Sequence, residues 1–290
     1  MSGENLGAKA VMKHLRETGF SFSKAKGQNF LIDANVPEKL VRLSGIDCSC
    51  GVLEVGAGLG ALTSALSRVA GRVIAVEIDD RLIPALRDLL ADAENVDIVK
   101  GDILKLDVAD LAPSKMPGMK YHVCANLPYS ITTPTLTMLI DSGIFETITV
   151  MVQKEVAQRI CAKPGSSDYG AFSVFVNYHA EPLMLFDVPP ECFVPRPAVI
   201  SSVVTLKMRK ERLLSSANEA FFFRVVRAAF EHRRKTLVNA LFMAFGNTIQ
   251  KADIEMMVRD CGFDTRIRGE KLGINEFSRL SETLKSNTER

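Results

Sequence analysis

The chain has 290 residues, 47% of them hydrophobic and 24% charged, with a net charge of +2. That is enough for one large globular domain and a smaller one, and the composition is neither disordered nor fibrous. No apolar run reaches the length of a membrane span, and the N-terminus lacks the apolar core of a signal peptide, so a cytosolic, membrane-free protein is expected.

In chain order, residues 4–18 place Leu6, Val11 and Leu15 among charges before Gly19, which predicts a short amphipathic helix. A basic, aromatic loop follows over 20–31, then a short helix over 34–44. From residue 51 the pattern changes. Apolar strands are predicted at 52–55, 72–76, 96–99, 121–125 and 148–152, with helices at 61–69, 80–91 and 131–142 between them. That alternation predicts a parallel, doubly wound α/β sheet of Rossmann-like type, with its strand ends on one rim. Residues 154–161 read as helix and 163–170 as an exposed loop. Two further apolar runs, 172–179 and 199–206, flank a Pro-rich segment and are expected to complete the sheet as antiparallel strands. Past residue 208 the pattern is helical, over 216–230, 234–245, 251–261 and 275–285. The chain therefore divides into residues 1–207, with 1–45 as a helical and loop extension, and a small all-helical domain over 208–290.

Charge is unevenly spread. Residues 207–235 hold nine basic against three acidic side chains, a candidate phosphate-binding surface, though basic runs are most often solvated helix faces. Six cysteines are present without a Cys-x-x-Cys, so neither a zinc site nor a disulfide framework is expected.

Two motifs carry chemistry. Gly56-Ala57-Gly58-Leu59-Gly60 follows the first strand and lets a ligand approach the backbone ahead of a helix. Glu77, at the next strand end, is placed to bind a ribose diol. These residues fit a nicotinamide dinucleotide and S-adenosylmethionine equally. Asp102 at the third strand end, which can accept from an adenine amine or simply cap a turn, favours S-adenosylmethionine. So does Asn126-Leu127-Pro128-Tyr129 at the fourth. An exocyclic amine on a base is a poor nucleophile because its lone pair is delocalised into the ring. The Asn126 side chain and the Leu127 or Pro128 carbonyl can accept its two hydrogens and free the lone pair. Tyr129 offers a face for base stacking.

The ordered set Gly27-Gln28-Asn29-Phe30-Leu31, EVGAGLG at 54–60, VEID at 76–79, GD at 101–102, NLPY at 126–129, FVPRP at 193–197, FEHRRKTLVNAL at 230–241 and EFSRL at 276–280 resembles the ribosomal RNA adenine N6,N6-dimethyltransferases. The small-subunit members are the most similar. The resemblance runs from about residue 24 to about 284. It implies a class I S-adenosylmethionine-dependent methyltransferase fold acting on two adjacent adenines in the hairpin loop near the 3′ end of small-subunit rRNA. Residue by residue, it implies that Asn29 and Leu31 close over the cofactor, that Gly56 and Gly58 approach it, and that Glu77 takes its ribose and Asp102 its adenine. Asn126 bridges cofactor and amine, while Tyr129 and Phe193 wall the base. Lys24, Lys26, Arg233, Arg234 and Lys235 are the candidates for RNA phosphates. The resemblance further implies a monomer acting on an immature small ribosomal subunit. Lys26 and Ala198 depart from the family pattern. A large-subunit rRNA methyltransferase, a non-catalytic RNA-binding assembly factor and a nicotinamide dehydrogenase remain as alternatives.

Overall fold

The computed structural model describes residues 28–211 and 213–288. Along the chain the elements are β1 (Phe30–Leu31), α1 (Asn35–Ser44), β2 (Cys50–Val55), α2 (Ala61–Ser67), β3 (Arg72–Glu77), α3 (Ile83–Leu89) and β4 (Val96–Lys100). Then come α4 (Val108–Lys115), β5 (Lys120–Asn126), α5 (Thr132–Asp141), β6 (Thr147–Gln153), α6 (Lys154–Cys161) and α7 (Ala171–His179). The last are β7 (Ala180–Val188), β8 (Phe193–Val194), β9 (Ser201–Met208), α8 (Ser216–Glu231), α9 (Leu237–Phe245), α10 (Lys251–Asp260) and α11 (Ile274–Thr288). No helix among the described residues is long and apolar enough to cross a membrane.

The main sheet has the strand order β4-β3-β2-β5-β6-β9-β7. The pairings β2–β3, β2–β5, β3–β4 and β5–β6 are parallel, and β9 runs antiparallel to β6. Buried on both faces, β2 needs an unbroken apolar strand, and all six of its residues are buried. The chain winds outward from β2 through β3 to β4, then returns to add β5 on the other side of β2. Strand order therefore reverses between β2 and β5, and an open α/β sheet forms its ligand crevice beyond the strand ends at such a point. Gly56 follows β2 and Asn126 ends β5, so both stand at this crevice.

Among the described residues, those up to Ala157 together with Leu183–Met208 form one compact unit; Gln158–Pro182 and those from Arg209 onward form a second. The second unit has its own core, in which Phe222, Leu241, Phe277 and Leu280 are buried together. This corrects two expectations. Residues 172–179 form a helix, α7, where a strand was expected, and they cluster with the helical unit, which thus draws on more than residues 208–290. The run is apolar all round because α7 packs on several sides, and periodicity cannot separate such a helix from a buried strand. One turn apart on α7, Phe175 and His179 lie 5.6 and 5.7 Å from the Phe223 ring of α8. The strand beside β9 is instead β7. Helix α4 is a further element that the sequence reading passed over; Asp107 caps it by accepting from Ala109 N and Asp110 N at 3.0 and 3.2 Å.

Candidate active site

The loop leaving β2 turns through three glycines with positive φ: Gly56 at 75°, Gly58 at 57° and Gly60 at 76°. L-residues with side chains rarely adopt this conformation. Two N–H groups of the loop, Gly56 N and Ala57 N, donate to Val76 O at 2.9 and 3.1 Å, which locks it onto the end of β3. Glu77 completes the lock. Its carboxylate accepts from Gly58 N and from Asp79 N, each at 2.8 Å. Glu77 is only 4% exposed. Burial raises its pKa, and the backbone donors of Asp79, Gly58 and Ile78 oppose that rise.

The N-terminal segment closes one side of the same cavity. The Phe30 ring lies where a Cβ on Gly58 would sit 3.1 Å from it, and it packs with Leu59, Leu82 and Ala85. Gln28 Nε2 donates to Asp79 at 2.9 Å, and Arg81 donates to the same carboxylate. Asn126 Nδ2 donates to Asn29 O at 3.1 Å. This bond fixes the orientation of the Asn126 amide and leaves Oδ1 as its acceptor.

The two candidate carbonyls after Asn126 are not equivalent. Pro128 O already accepts from Ile131 N at 3.1 Å and from Thr132 Oγ1 at 3.2 Å. Leu127 N donates to Met151 O at 3.1 Å, whereas Leu127 O accepts no hydrogen bond among the described residues. The pair of acceptors the site can offer an amine is therefore Asn126 Oδ1 and Leu127 O. Pro128 stiffens the turn and holds the 3-10 turn at Tyr129–Ile131. Burial pushes the Tyr129 phenol above its ordinary pKa, so it is protonated at neutral pH.

Asn29, Leu31, Gly56, Gly58, Glu77, Asn126, Leu127, Pro128 and Tyr129 all line one cavity. Two sequence candidates do not. Phe193 is 2% exposed and packs in the core with Leu31, Val36 and Leu40, because strand alternation turns the neighbouring Val194 toward Phe30 instead. A second aromatic wall from Phe193 is thus not formed in this conformation. Asp102 stands at the end of β4 and accepts from Leu104 N at 3.1 Å, the capping role weighed against an adenine contact. In the helical unit, Arg233 Nη2 donates to Ser167 O at 2.8 Å and to Tyr169 O at 3.0 Å. Its guanidinium thus holds a loop and is not simply available to a phosphate. Arg234 and Lys235 are exposed. Lys24 and Lys26 lie outside the described residues.

Glu54 was missed as a site residue. It lines the cavity from within β2, is 1% exposed, and its Oε2 has no hydrogen-bond partner among the described residues. The signal was present in the sequence as a lone acid inside an apolar parallel strand. Burial pushes its pKa up to about 8. A carboxyl group whose folded pKa exceeds its unfolded value keeps its proton in the fold while the unfolded chain loses it. Stability should therefore fall as pH rises from about 4.5 to about 8. Glu54→Gln removes that cost. The variant should be more stable than the parent at pH 8, by at most a few kcal/mol, with the gap closing toward pH 4.5. Urea unfolding at the two pH values checks it.

A model of one protein family, ribosomal RNA adenine dimethylase, matches residues 19–281. The chain belongs to this family. Ribosomal RNA small subunit methyltransferase A of Shouchella clausii is 45% identical over 274 residues, covering 94% of this chain and 93% of that one. The protein of the same name from Streptococcus gordonii is 45% identical over 275 residues, covering 94% and 95%. Among solved structures, a dimethyladenosine transferase from Plasmodium falciparum superposes with a TM-score of 0.74 at 24% identity, covering 89% of this chain and 98% of that one. The 23S rRNA methyltransferase ErmE gives 0.69 at 25%, covering 89% and 100%. As a dimethylase, this family member is an enzyme acting on ribosomal RNA with S-adenosylmethionine as methyl donor, so the glycine loop and Glu77 do not belong to a nicotinamide dehydrogenase.

Proposed function

We propose that this rRNA adenine dimethylase places two methyl groups on N6 of each of two adjacent adenines in the 3′-terminal hairpin loop of small-subunit rRNA. It would act as a monomer, in the cytoplasm, on an immature small ribosomal subunit. The observation that carries the chemistry is a pair of acceptors unengaged among the described residues, Asn126 Oδ1 and Leu127 O, beside an aromatic face at the sheet's switch point. The 45% identity to enzymes named for the small subunit supports the choice of subunit.

The cavity fits a cationic donor. Two buried carboxyl groups, Glu54 and Glu77, line it; Glu54 Oε2 has no partner among the described residues, and a sulfonium beside it would favour the ionised form that burial alone disfavours. The absent side chain of Gly56 leaves room as well, since a Cβ there would meet only Pro128 and Asn126 atoms at 3.8–4.0 Å. Glu77, Gly56, Gly58, Asn29 and Leu31 would hold the donor, with Asp102 toward its adenine. When bound, S-adenosylmethionine supplies an electrophilic methyl on a sulfonium.

The chain's own residues do the rest. Asn126 Oδ1 and Leu127 O accept the two hydrogens of the target amine in the first transfer, and one of them accepts the single hydrogen that remains for the second. This favours a tetrahedral nitrogen with a free lone pair. Tyr129 carries the unstacked base, and stacking of about 1–3 kcal/mol per base offsets much of the unstacking cost. Alignment of amine and methyl lowers the barrier by up to about 7–11 kcal/mol. No strong base is required, because the methylated, ammonium-like nitrogen loses its proton readily. Arg234 and Lys235, and Lys24 and Lys26 from the N-terminal segment, would meet backbone phosphates. Arg233 would do so only in addition to its structural bonds.

The test is methyl transfer from labelled donor to unmethylated small subunits and, separately, to large subunits. Label in N6,N6-dimethyladenosine of small-subunit rRNA alone is the expected result. Label in large-subunit rRNA would assign the chain to the sister activity, and binding without transfer would make it an assembly factor.

A further inference from the structure

The Tyr129 ring is held at both ends. Its backbone follows Pro128, whose carbonyl is gripped by Ile131 N and Thr132 Oγ1. Its phenol shares a 2.8 Å hydrogen bond with Ser201 Oγ. Ser201 is 0% exposed and is the first residue of β9, where it pairs with Gln153 at the end of β6. Its neighbours are pinned on either side. Ile200 O accepts from Lys154 N at 2.9 Å. Ser202 Oγ donates to Asp187 Oδ1 at 2.6 Å, and Asp187 Oδ2 takes Lys154 Nζ at 2.5 Å. Ser201 therefore offers a fixed point on β9, which runs antiparallel to β6 and begins where β6 ends. Without that point the aromatic ring could turn about its side-chain bonds, and a base lying on it would turn too.

We infer that Ser201 is a positioning residue for methyl transfer, acting through the Tyr129 hydroxyl to set the plane in which the target adenine lies. It touches neither substrate nor donor. The inference rests on Tyr129 being the stacking platform. A purely structural bond would give a different signature, since its loss would lower stability and leave turnover alone.

The test uses full-length Tyr129→Phe, Ser201→Ala, the double variant and Tyr129→Ala, with unmethylated small subunits as substrate. Turnover, donor affinity by calorimetry and melting temperature are measured for each. Tyr129→Phe and Ser201→Ala should each lower kcat about five- to tenfold, the loss of one ordinary hydrogen bond. Donor affinity should stay unchanged. The double variant should be no worse than either single one, because both remove the same contact. Unchanged kcat in Tyr129→Phe, with Tyr129→Ala impaired, overturns the inference and leaves the platform intact; so do losses that multiply in the double variant. Near-normal turnover in Tyr129→Ala overturns the platform and the inference together. Should Ser201→Ala fail to fold, Tyr129→Phe decides alone.

Discussion

Asn126→Ala is expected to lower the rate of methyl transfer by about 10²–10³-fold, the range seen when one preorganised polar group facing a reacting centre is removed. The variant loses one of the two acceptors proposed to face the amine, while Leu127 O remains. It also loses the 3.1 Å bond to Asn29 O that ties the N-terminal segment to the end of β5. That bond joins neutral groups, so donor affinity should change by less than about tenfold. Single-turnover transfer and calorimetry on the same preparation separate the two effects. A variant that bound the donor normally and still turned over at the parent rate would remove Asn126 from the chemistry.

Glu77→Ala should produce the opposite split, a loss of donor affinity of about 10²–10⁴-fold. Three roles end at once. The proposed acceptor for the ribose is gone, and the N–H groups of Gly58 and Asp79 lose their partner inside a buried site. Hydrogen bonds to a charged group contribute about 1.5–3 kcal/mol each, and an unsatisfied buried donor costs a further amount of similar size. Glu77→Gln should fall between the two, since an amide keeps one acceptor but turns N–H groups toward backbone donors. Calorimetric titration with S-adenosylmethionine reads both. Affinity within a few-fold of the parent in Glu77→Ala would mean that the donor lies elsewhere.

The sheet and the position of its crevice were legible in the sequence because short apolar runs such as 52–55 and 72–76 are bounded by glycines and acids. Gly56, Gly58, Glu77 and Asn126 could be picked out for the same reason, standing at the ends of those runs. What could not be read was anything decided by partners distant in the chain. The choice between Leu127 O and Pro128 O depends on Ile131 and Thr132 turning back on the Pro128 carbonyl. Arg233 reads as one of three equivalent cations until the carbonyls of Ser167 and Tyr169 are found against it. Phe193 sits in a motif but faces the core, since a two-residue strand gives no alternation to read. Helix α7 reads as a strand because a helix covered on several sides loses its polar stripe. Glu54 could have been caught, because an ionisable residue in a doubly covered strand requires an explanation.

The most direct test is a crystal structure of this chain with a non-reactive donor analogue and an adenine nucleotide. The account predicts N6 within hydrogen-bonding distance of both Asn126 Oδ1 and Leu127 O, with the purine lying on the Tyr129 ring and the donor ribose on Glu77. An amine held by other groups, or a nucleotide bound away from the ends of β2 and β5, would contradict it.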